Sequence, residues 1–241
     1  MVDALSYLVS ALAVALIRRP EPAPAPPEGR RAIWAEIGEG LRLVVGHPLL
    51  RPMAVMAALT NAWFGIHATL YILYLTRELG FSPAAVPILF SFAGPGFLLG
   101  SLLVGPIARR FGPGPTLLGT TLVTAATVWV FPLASGPPVV VAPLFAAAQF
   151  VTALTGMVNQ VTYGSLRQAI TPHHLLGRMT ASMRFIAWSI TPLAGLAAGY
   201  LGGAIGLRAT LGVAAAVALL APLVVWLSPL PKLREQPQPG E

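Results

Sequence analysis

The sequence has 241 residues, of which 56% are hydrophobic and 10% charged, and its mean hydropathy is +0.75. Soluble domains carry about 25% charged residues, so this composition excludes a soluble protein and indicates an integral membrane protein. The sequence has no cysteine, which excludes disulfides and thiolate metal sites, and its net charge of +7 raises the question of nucleic-acid binding.

The first predicted element is an apolar segment at residues 1–17, which Arg18 and Arg19 follow. A secretory signal peptide has the opposite order, with basic residues before its apolar run. Basic residues after the run are typical of the cytoplasmic end of a membrane helix. As a helix the segment would be about 25 Å long, short for a hydrocarbon core of about 30 Å. We therefore interpret it as the end of a membrane helix.

Residues 18–48 are predicted to form a cytoplasmic connector with two parts. The first part, RRPEPAPAPPEGRR, is rich in proline and favours an extended, semi-rigid spacer. The second part, IWAEIGEGLRLVVG, sets apolar residues at helical spacing against Glu36, Glu39 and Arg42. This pattern predicts a short amphipathic helix on the cytoplasmic membrane surface.

Six apolar segments long enough to cross a membrane come next. They are predicted at residues 49–75, 83–108, 115–133, 139–166, 179–203 and 207–227. The connectors between them are short, so each helix must run antiparallel to the next. The predicted fold is an all-α integral membrane bundle at residues 49–228, and residues 229–241 are predicted to be a cytoplasmic tail.

The basic residues indicate the orientation of this bundle. If the connector at residues 18–48 is cytoplasmic, all 15 Lys and Arg residues except Arg77 and Arg208 lie on the cytoplasmic side. This is the positive-inside bias of membrane proteins. The positive charge is therefore explained by topology, and no nucleic-acid partner is predicted because no separate basic domain is present.

Two motifs carry a resemblance to a known family. EIGEGLRLVVGHPLLR lies at residues 36–51, and RQAITPHHLLGRM lies at residues 167–179. Together with the order of the segments, they resemble the C-terminal half of a major facilitator superfamily transporter. The similar branch contains macrolide-efflux and enterobactin-type siderophore exporters. The resemblance implies a half-bundle of two inverted three-helix repeats, with residues 1–17 as a remnant of the last helix of a missing first half.

The same resemblance implies a function. Such proteins are multi-pass transporters of the cell (inner or plasma) membrane that export drug-like compounds or siderophores, driven by a proton gradient, and need no cofactor. Their two halves rock about a central substrate site, so one half cannot transport alone. The expected partners are the lipid bilayer, an amphipathic small molecule and an N-terminal six-helix half. The alternatives are a subunit of a split transporter, a fragment or misassigned start of a longer chain, and a membrane remnant without transport activity.

The superfamily's cytoplasmic loop motif appears in a degraded form as GPIARRFGPG, residues 105–114. Gly105, Arg110 and Gly112 match the family pattern. Arg109 stands where the family has an acid, and Gly114 stands where it has a base. The degradation resembles that of the second-half copy of this motif.

Polar residues recur at spacings of three and four on two predicted helices, which places each set on one helical face. The first set is Thr60, Trp63, His67, Tyr71 and Tyr74, with Asn61 beside it; the second is Gln149, Thr152, Gly156, Asn159, Tyr163 and Arg167, with Gln160 beside it. We predict that these faces line a substrate cavity. Aromatic and amide groups without a carboxylate suit a large amphipathic substrate. The alternative is hydrogen bonding between packed helices.

Histidines raise two further hypotheses. His67 is the titratable side chain at mid-depth, so it is a candidate proton relay, against the alternative of a packed, hydrogen-bonded residue. His173 and His174 lack a third ligand nearby, so no metal site is predicted. They are better interpreted as a cytoplasmic turn that begins with Thr171 and Pro172.

Two last patterns concern packing and the exclusion of enzymes. Gly96 and Gly100, and the series Gly195, Gly199 and Gly203, predict close helix approach. A membrane histidine would suit a Ser-His hydrolase, but the sequence has no G-x-S-x-G motif and its one aspartate is Asp3. The sequence therefore predicts a protein that is not an enzyme.

Overall fold

The computed structural model describes residues 2–16 and 33–235. The chain divides into two compact units, Met1–Ile33 and Trp34–Glu241. In the first unit, helix α1 covers Val2–Ala15, and its side chains at residues 9–16 are exposed. The predicted proline-rich spacer and the last six residues of the predicted tail lie outside the described residues.

The second unit is built on six helices long and apolar enough to cross a membrane, which follow the short helix α2 (Ile33–Gly46). They are α3 (Leu50–Glu78), α4 (Ala85–Phe111), α5 (Pro113–Leu133), α6 (Pro138–Ala169), α7 (Leu176–Ile205) and α8 (Leu207–Leu227). The all-α fold and its six membrane-length helices are therefore confirmed. Most of these helices extend beyond the predicted ends because polar residues of the connectors continue the helical backbone.

Prolines explain the irregular points of α4 and α5. The helical backbone is interrupted at Phe92 in α4 and at Trp129 in α5. Pro95 and Pro132 lie three residues later, and each lacks the N–H that would bond to the carbonyl of the residue before the interruption. In α3 the last five residues, Tyr74–Glu78, form a π-helical turn.

The two three-helix units of the bundle, α3–α5 and α6–α8, contain the same one-residue connector. Gly112 joins α4 to α5 with φ 86° and ψ 161°, and Gly206 joins α7 to α8 with φ 88° and ψ 160°. Both conformations lie in the positive-φ region that favours glycine. The second and third helices of each repeat are therefore joined by the same turn.

Helix packing shows the same repeat. Helix α3 packs on α7 and α8, and α6 packs on α4 and α5, while α5 and α8 pack on each other. Exchanging α3 with α6, α4 with α7, and α5 with α8 converts each contact into another one in this set. The predicted arrangement of two inverted three-helix repeats in a six-helix half-bundle is thus confirmed.

Glycine allows the closest helix contacts, at some of the predicted positions. A Cβ on Gly100 of α4 would lie 2.6 Å from the Leu154 carbonyl oxygen of α6, and Gly96 is equally crowded. Between α3 and α7 the close residue is Gly65, against Thr191. The prediction holds for Gly195, where a Cβ would lie 3.2 Å from Thr69 Oγ1 of α3. It is wrong for Gly199 and Gly203, where a Cβ would meet open space within the described chain. Periodicity alone could not show which face of α7 meets α3.

Helix α2 packs against the beginning of α7. A Cβ on Gly40 would lie 2.9 Å from the Arg178 carbonyl oxygen, and Val44 is buried in a cluster with Met179 and Met183. The Arg178 Nη1 atom lies 2.8 Å from Glu39 Oε2. The predicted helix is present, and these contacts fix its second half against the bundle, while its location at the membrane surface stays a prediction.

Candidate functional site

The aromatic residues of the predicted α3 stripe form the centre of a buried cluster. Trp63, His67, Tyr71 and Tyr74 are 6%, 8%, 0% and 0% exposed. The His67 ring lies 4.6 Å from the ring of Tyr71 and 4.6 Å from that of Phe131 on α5. These four side chains therefore pack inside the half-bundle, and in this conformation they offer almost no surface to a ligand.

Phe145 completes this cluster from α6. Its ring lies 5.2 Å from Phe131 and 6.5 Å from Tyr74. The hydroxyls of Tyr71 and Tyr74 are buried and have no hydrogen-bond partner among the described residues. Sequence reasoning missed Phe131 and Phe145, since a phenylalanine in an apolar span carries no signal that separates core from lipid contact.

Asn61 and Thr60 lie on α3 outside the aromatic cluster, and both are half-buried. The Asn61 amide nitrogen donates to the Ala57 carbonyl oxygen at 2.8 Å. The Thr191 hydroxyl of α7 donates to Asn61 Oδ1 at 3.4 Å. Asn61 therefore links the first helix of one repeat to the second helix of the other.

Two residues of the predicted α6 stripe bond to neighbouring helices. Asn159 donates from Nδ2 to the Thr120 hydroxyl of α5 at 2.9 Å, and the Tyr163 hydroxyl donates to the Met183 sulfur of α7 at 3.6 Å. The buried Thr152 hydroxyl has no partner within the described chain. The α5 partner could have been anticipated from the threonines at helical spacing, Thr116, Thr120, Thr124 and Thr127.

Of the four remaining members of the α6 stripe, Arg167 has its guanidinium 5.5 Å from the Tyr163 ring, and the other three form an open line. Gln149, Gly156 and Gln160 lie within about 40° of one another around the helix. Gln160 is exposed and Gln149 is half-exposed, and a Cβ on Gly156 would meet open space. Neither glutamine has a hydrogen bond to another described residue. This polar line, which we call the α6 front line, includes Gln160, the one exposed side chain of the predicted cavity surface among the described residues.

The surroundings of His67 are aromatic. Its neighbours are the rings of Trp63, Tyr71 and Phe131. Along α3 to α8 the one carboxylate is Glu78, the last residue of α3. The structure thus gives His67 no acidic partner in the described part of the bundle.

The described residues contain no group of three or more His, Asp or Glu side chains that could hold a metal ion. His173 lies in a 3₁₀ turn, His173–Leu175, and is exposed. The Thr171 hydroxyl donates to the Arg167 carbonyl oxygen at 2.7 Å, which closes the end of α6 rather than capping this turn. A short turn is present, as predicted, but with a different role for Thr171.

The degraded loop motif is the docking place of the segment after α8. The N–H of Gly114 donates to the Leu233 carbonyl oxygen at 3.0 Å, and Leu230 is fully buried. A Cβ on Gly114 would overlap the Leu230 carbonyl, and one on Gly112 would overlap the Arg234 backbone. Glycine where the family has a base is therefore explained by this contact. A Cβ on Gly105 would meet the Arg109 side chain rather than this segment, and the Arg110 guanidinium lies 5.6 Å from the Phe111 ring.

His47 orders the beginning of α3. Its Nδ1 atom accepts from the N–H groups of Leu49 and Leu50 at 3.2 and 3.4 Å. Burial lowers the pKa of His47 from its usual value of 6.5. Both observations favour the neutral imidazole with its proton on Nε2. The sequence motif at residues 36–51 contained this residue, but its role depends on geometry.

Comparison with known proteins gives two matches. The model of the Major Facilitator Superfamily matches residues 1–190 and, in a second and overlapping match, residues 62–241. A curated relative, the multidrug efflux pump Tap of Mycolicibacterium fortuitum, is 30% identical over 243 aligned residues. The match covers 97% of this chain and 56% of that pump, so the chain spans about half the length of this relative.

Proposed function

Since the chain belongs to the Major Facilitator Superfamily, we propose that it forms one six-helix half of a secondary active exporter of amphipathic small molecules. In such transporters two halves rock around a substrate site between them. The two inverted repeats of α3–α5 and α6–α8 supply one of these halves. The exporter would work in the cell membrane, with the connector at residues 18–48 and the tail in the cytoplasm.

The observation that carries this proposal is the α6 front line. On this membrane-length helix, the Gln160 amide is exposed and the Gln149 amide is half-exposed. Uncovered amides are unfavourable against lipid because hydrocarbon offers them no hydrogen bond. A second six-helix half would enclose this line in a cavity, where a substrate or water would satisfy both side chains.

The flanking helices support the same arrangement. In the most apolar 18-residue stretch of α4 and of α7, only 17% of the residues are buried within the structure, against 44% in the corresponding stretches of α5 and α8. Helices α4 and α7 are equivalent in the two repeats, so both flanks of the bundle leave a similar surface uncovered. A partner half that contacted both flanks would close the cavity between them.

The chemistry of the accessible surface favours an amphipathic substrate. Amides and small residues are present along the α6 front line, and the described spans contain no carboxylate at mid-depth. Such a site would hold a substrate by apolar area and a few hydrogen bonds. The relative's name, a multidrug efflux pump, is consistent with this class.

Efflux of a fluorescent amphipathic dye from cells that express the native gene with its genomic neighbours would test the proposal. Gln149→Ala and Gln160→Ala should each slow efflux several-fold, since each removes a hydrogen bond in the cavity. Gln168→Ala is the matched control, because Gln168 is an exposed glutamine near the end of α6. Wild-type efflux by both front-line variants at equal membrane levels would contradict the proposed site.

The alternative functions are a subunit of a split transporter and a remnant without transport activity. An antibody against PKLREQPQPGE, applied to host membranes, distinguishes the forms. A product of about twice 25.2 kDa would contain both halves in one chain. A product near 25.2 kDa that co-purifies with a six-helix partner would be a split subunit. One that lacks a partner and gives no dye efflux would be a remnant.

We also propose proton coupling, with His67 as its candidate relay in this half. A relay must lose and gain a proton, whereas glutamine keeps the polarity of the site without titrating. His67→Gln should therefore remove the pH dependence of efflux. Unchanged pH dependence would assign His67 to packing, which its aromatic neighbours favour.

A further inference from the structure

An apolar cleft of about 300 Å³ opens on the surface formed by α2, α3 and α7. It is lined by Val44, Val45, Arg51, Ala54, Val55, Ala58, Leu59, Ala62, Ile186 and Ile190. Nine of these ten side chains are hydrocarbon, and the tenth, Arg51 at the beginning of α3, lines the cleft through its aliphatic stem, which leaves its exposed guanidinium at the rim. An elongated apolar surface with one cation at its end is complementary to a lipid with an anionic headgroup.

The cation at this cleft is available to a ligand. Arg51 is exposed, and no ion pair joins it to a carboxylate among the described residues. It is the second residue of α3, where the span begins. A guanidinium in this position can donate two parallel hydrogen bonds to a phosphate, which a single uncharged donor cannot match.

The length of the cleft distinguishes a lipid chain from a partner helix. From Arg51 to Ala62 the cleft follows α3 for eleven residues, which is about 16 Å at 1.5 Å per residue. One leaflet of a hydrocarbon core of about 30 Å is about 15 Å thick. A transmembrane helix would need a groove along the full thickness, whereas one acyl chain needs the depth of a single leaflet.

We propose that this cleft binds an anionic phospholipid, with its phosphate on Arg51 and one acyl chain along Ala58 and Ala62. The lipid would come from the leaflet that contains the beginning of α3. The bound chain would also contact Val45 of α2 and Ile190 of α7, so it would hold α2 against the spans. This proposal does not depend on the transport activity proposed above.

The experiment compares two lipids that differ in headgroup. The full chain is purified in detergent, and native mass spectrometry counts the bound phosphatidylglycerol and phosphatidylcholine, both with the same acyl chains. Wild type should prefer phosphatidylglycerol. Arg51→Gln should reduce that preference on the order of tenfold, since it removes the charged donor pair. Arg184→Gln, a change of an exposed arginine of α7 that does not line the cleft, should leave it unchanged.

A second variant tests the acyl-chain part of the site. Ala58→Phe fills the cleft, so it should reduce the binding of both lipids while size-exclusion elution stays that of wild type. Equal binding of the two lipids by wild type would overturn the proposal. It would also be overturned if the Arg51→Gln and Arg184→Gln variants preferred phosphatidylglycerol over phosphatidylcholine to the same extent. A third contrary result would be that Ala58→Phe binds both lipids as well as wild type does. The last result would indicate that the cleft has another occupant, such as a partner half.

Discussion

At the scale of single residues, His47 shows how one side chain sets the beginning of a membrane helix. The first N–H groups of a helix have no intrahelical partner, and here one imidazole nitrogen accepts from two of them. A protonated imidazole has no lone pair on Nδ1 and cannot do this. Protonation of His47 would therefore break both hydrogen bonds at the beginning of α3.

This loss of hydrogen bonds predicts a pH dependence of stability. The folded state lowers the pKa of His47 below 6.5, so its contribution is fully present above pH 6.5 and is lost as the pH falls through the folded-state pKa. His47→Asn keeps a capping side chain that does not titrate in this range. The melting temperature of the wild type in detergent should therefore fall more steeply below pH 6.5 than that of His47→Asn. Parallel curves for the two proteins would contradict this role.

Gly114 gives a second prediction at this scale. Gly114→Ala adds a Cβ that overlaps the Leu230 carbonyl, so it should displace the segment after α8 and destabilise the fold by about 1–3 kcal/mol. Gly119→Ala in the same helix is the control, because its Cβ meets open space and alanine favours the helix by up to about 1 kcal/mol. Thermal unfolding in detergent measures both. A melting temperature for Gly114→Ala at or above that of Gly119→Ala would show that the segment is not docked there.

At the scale of helices, the two repeats achieve the same packing with different residues. Helix α4 approaches α6 through its own glycines, Gly96 and Gly100, whereas the equivalent contact of α7 with α3 uses Gly65 of α3. Helix α7 contributes as well, since a Cβ on Gly195 would lie 3.2 Å from Thr69 Oγ1 of α3. The two contacts therefore share an arrangement but differ in which helix carries the most crowded glycine. A close approach requires space at the contact, and either helix can provide it.

The α4 contact can be tested with a matched pair of substitutions. Gly100→Ala would place a Cβ 2.6 Å from the Leu154 carbonyl oxygen and 2.9 Å from the Met157 Cβ. It should force α4 and α6 apart and lower stability by about 1–3 kcal/mol. Gly94→Ala in the same helix adds a Cβ with no described atom within 4 Å, so it should be neutral or stabilising. Equal melting temperatures for the two variants would mean that α4 and α6 are not in close contact in the membrane.

At the scale of the whole molecule, connectivity gives the alternating directions of the helices, and charge predicts their orientation in the membrane. The bundle alternates direction at every connector, and among the described residues of α3 to α8 the basic residues Arg77 and Arg208 lie at the end opposite to Arg51, Arg109 and Arg167. Arg208 donates from Nη2 to the Ala134 carbonyl oxygen at 3.4 Å, which links the beginning of α8 to the connector between α5 and α6. A single labelling experiment can therefore assign both faces.

Because the chain has no cysteine, single cysteines can report the topology directly. Ser135→Cys lies in the connector between α5 and α6, and His173→Cys lies in the connector between α6 and α7; both positions are exposed. In intact cells a membrane-impermeant maleimide should label Ser135→Cys alone, and both variants after lysis. Labelling of His173→Cys in intact cells would reverse the orientation expected from the positive-inside bias.

The sequence by itself determined the membrane class, the six spans and the short connectors. Whether a segment can cross the bilayer depends on the length and hydropathy of that segment alone. It also determined which polar residues share a helical face, since that depends only on the period of the helix. The order of these segments and two motifs were sufficient to indicate the family.

Only the tertiary structure decided which of these helical faces is buried by other helices. Trp63, His67 and Tyr71 share a face that is buried with Phe131 and Phe145. On the face that Gln149 and Gln160 share, Gln160 is exposed and Gln149 is half-exposed. Period alone cannot distinguish these cases, because burial depends on which neighbour the inverted repeat brings to each helix. The repeat symmetry that relates α3 to α6 belongs to the assembled bundle and not to either helix alone. For that reason the accessible surface could be identified only from the structure.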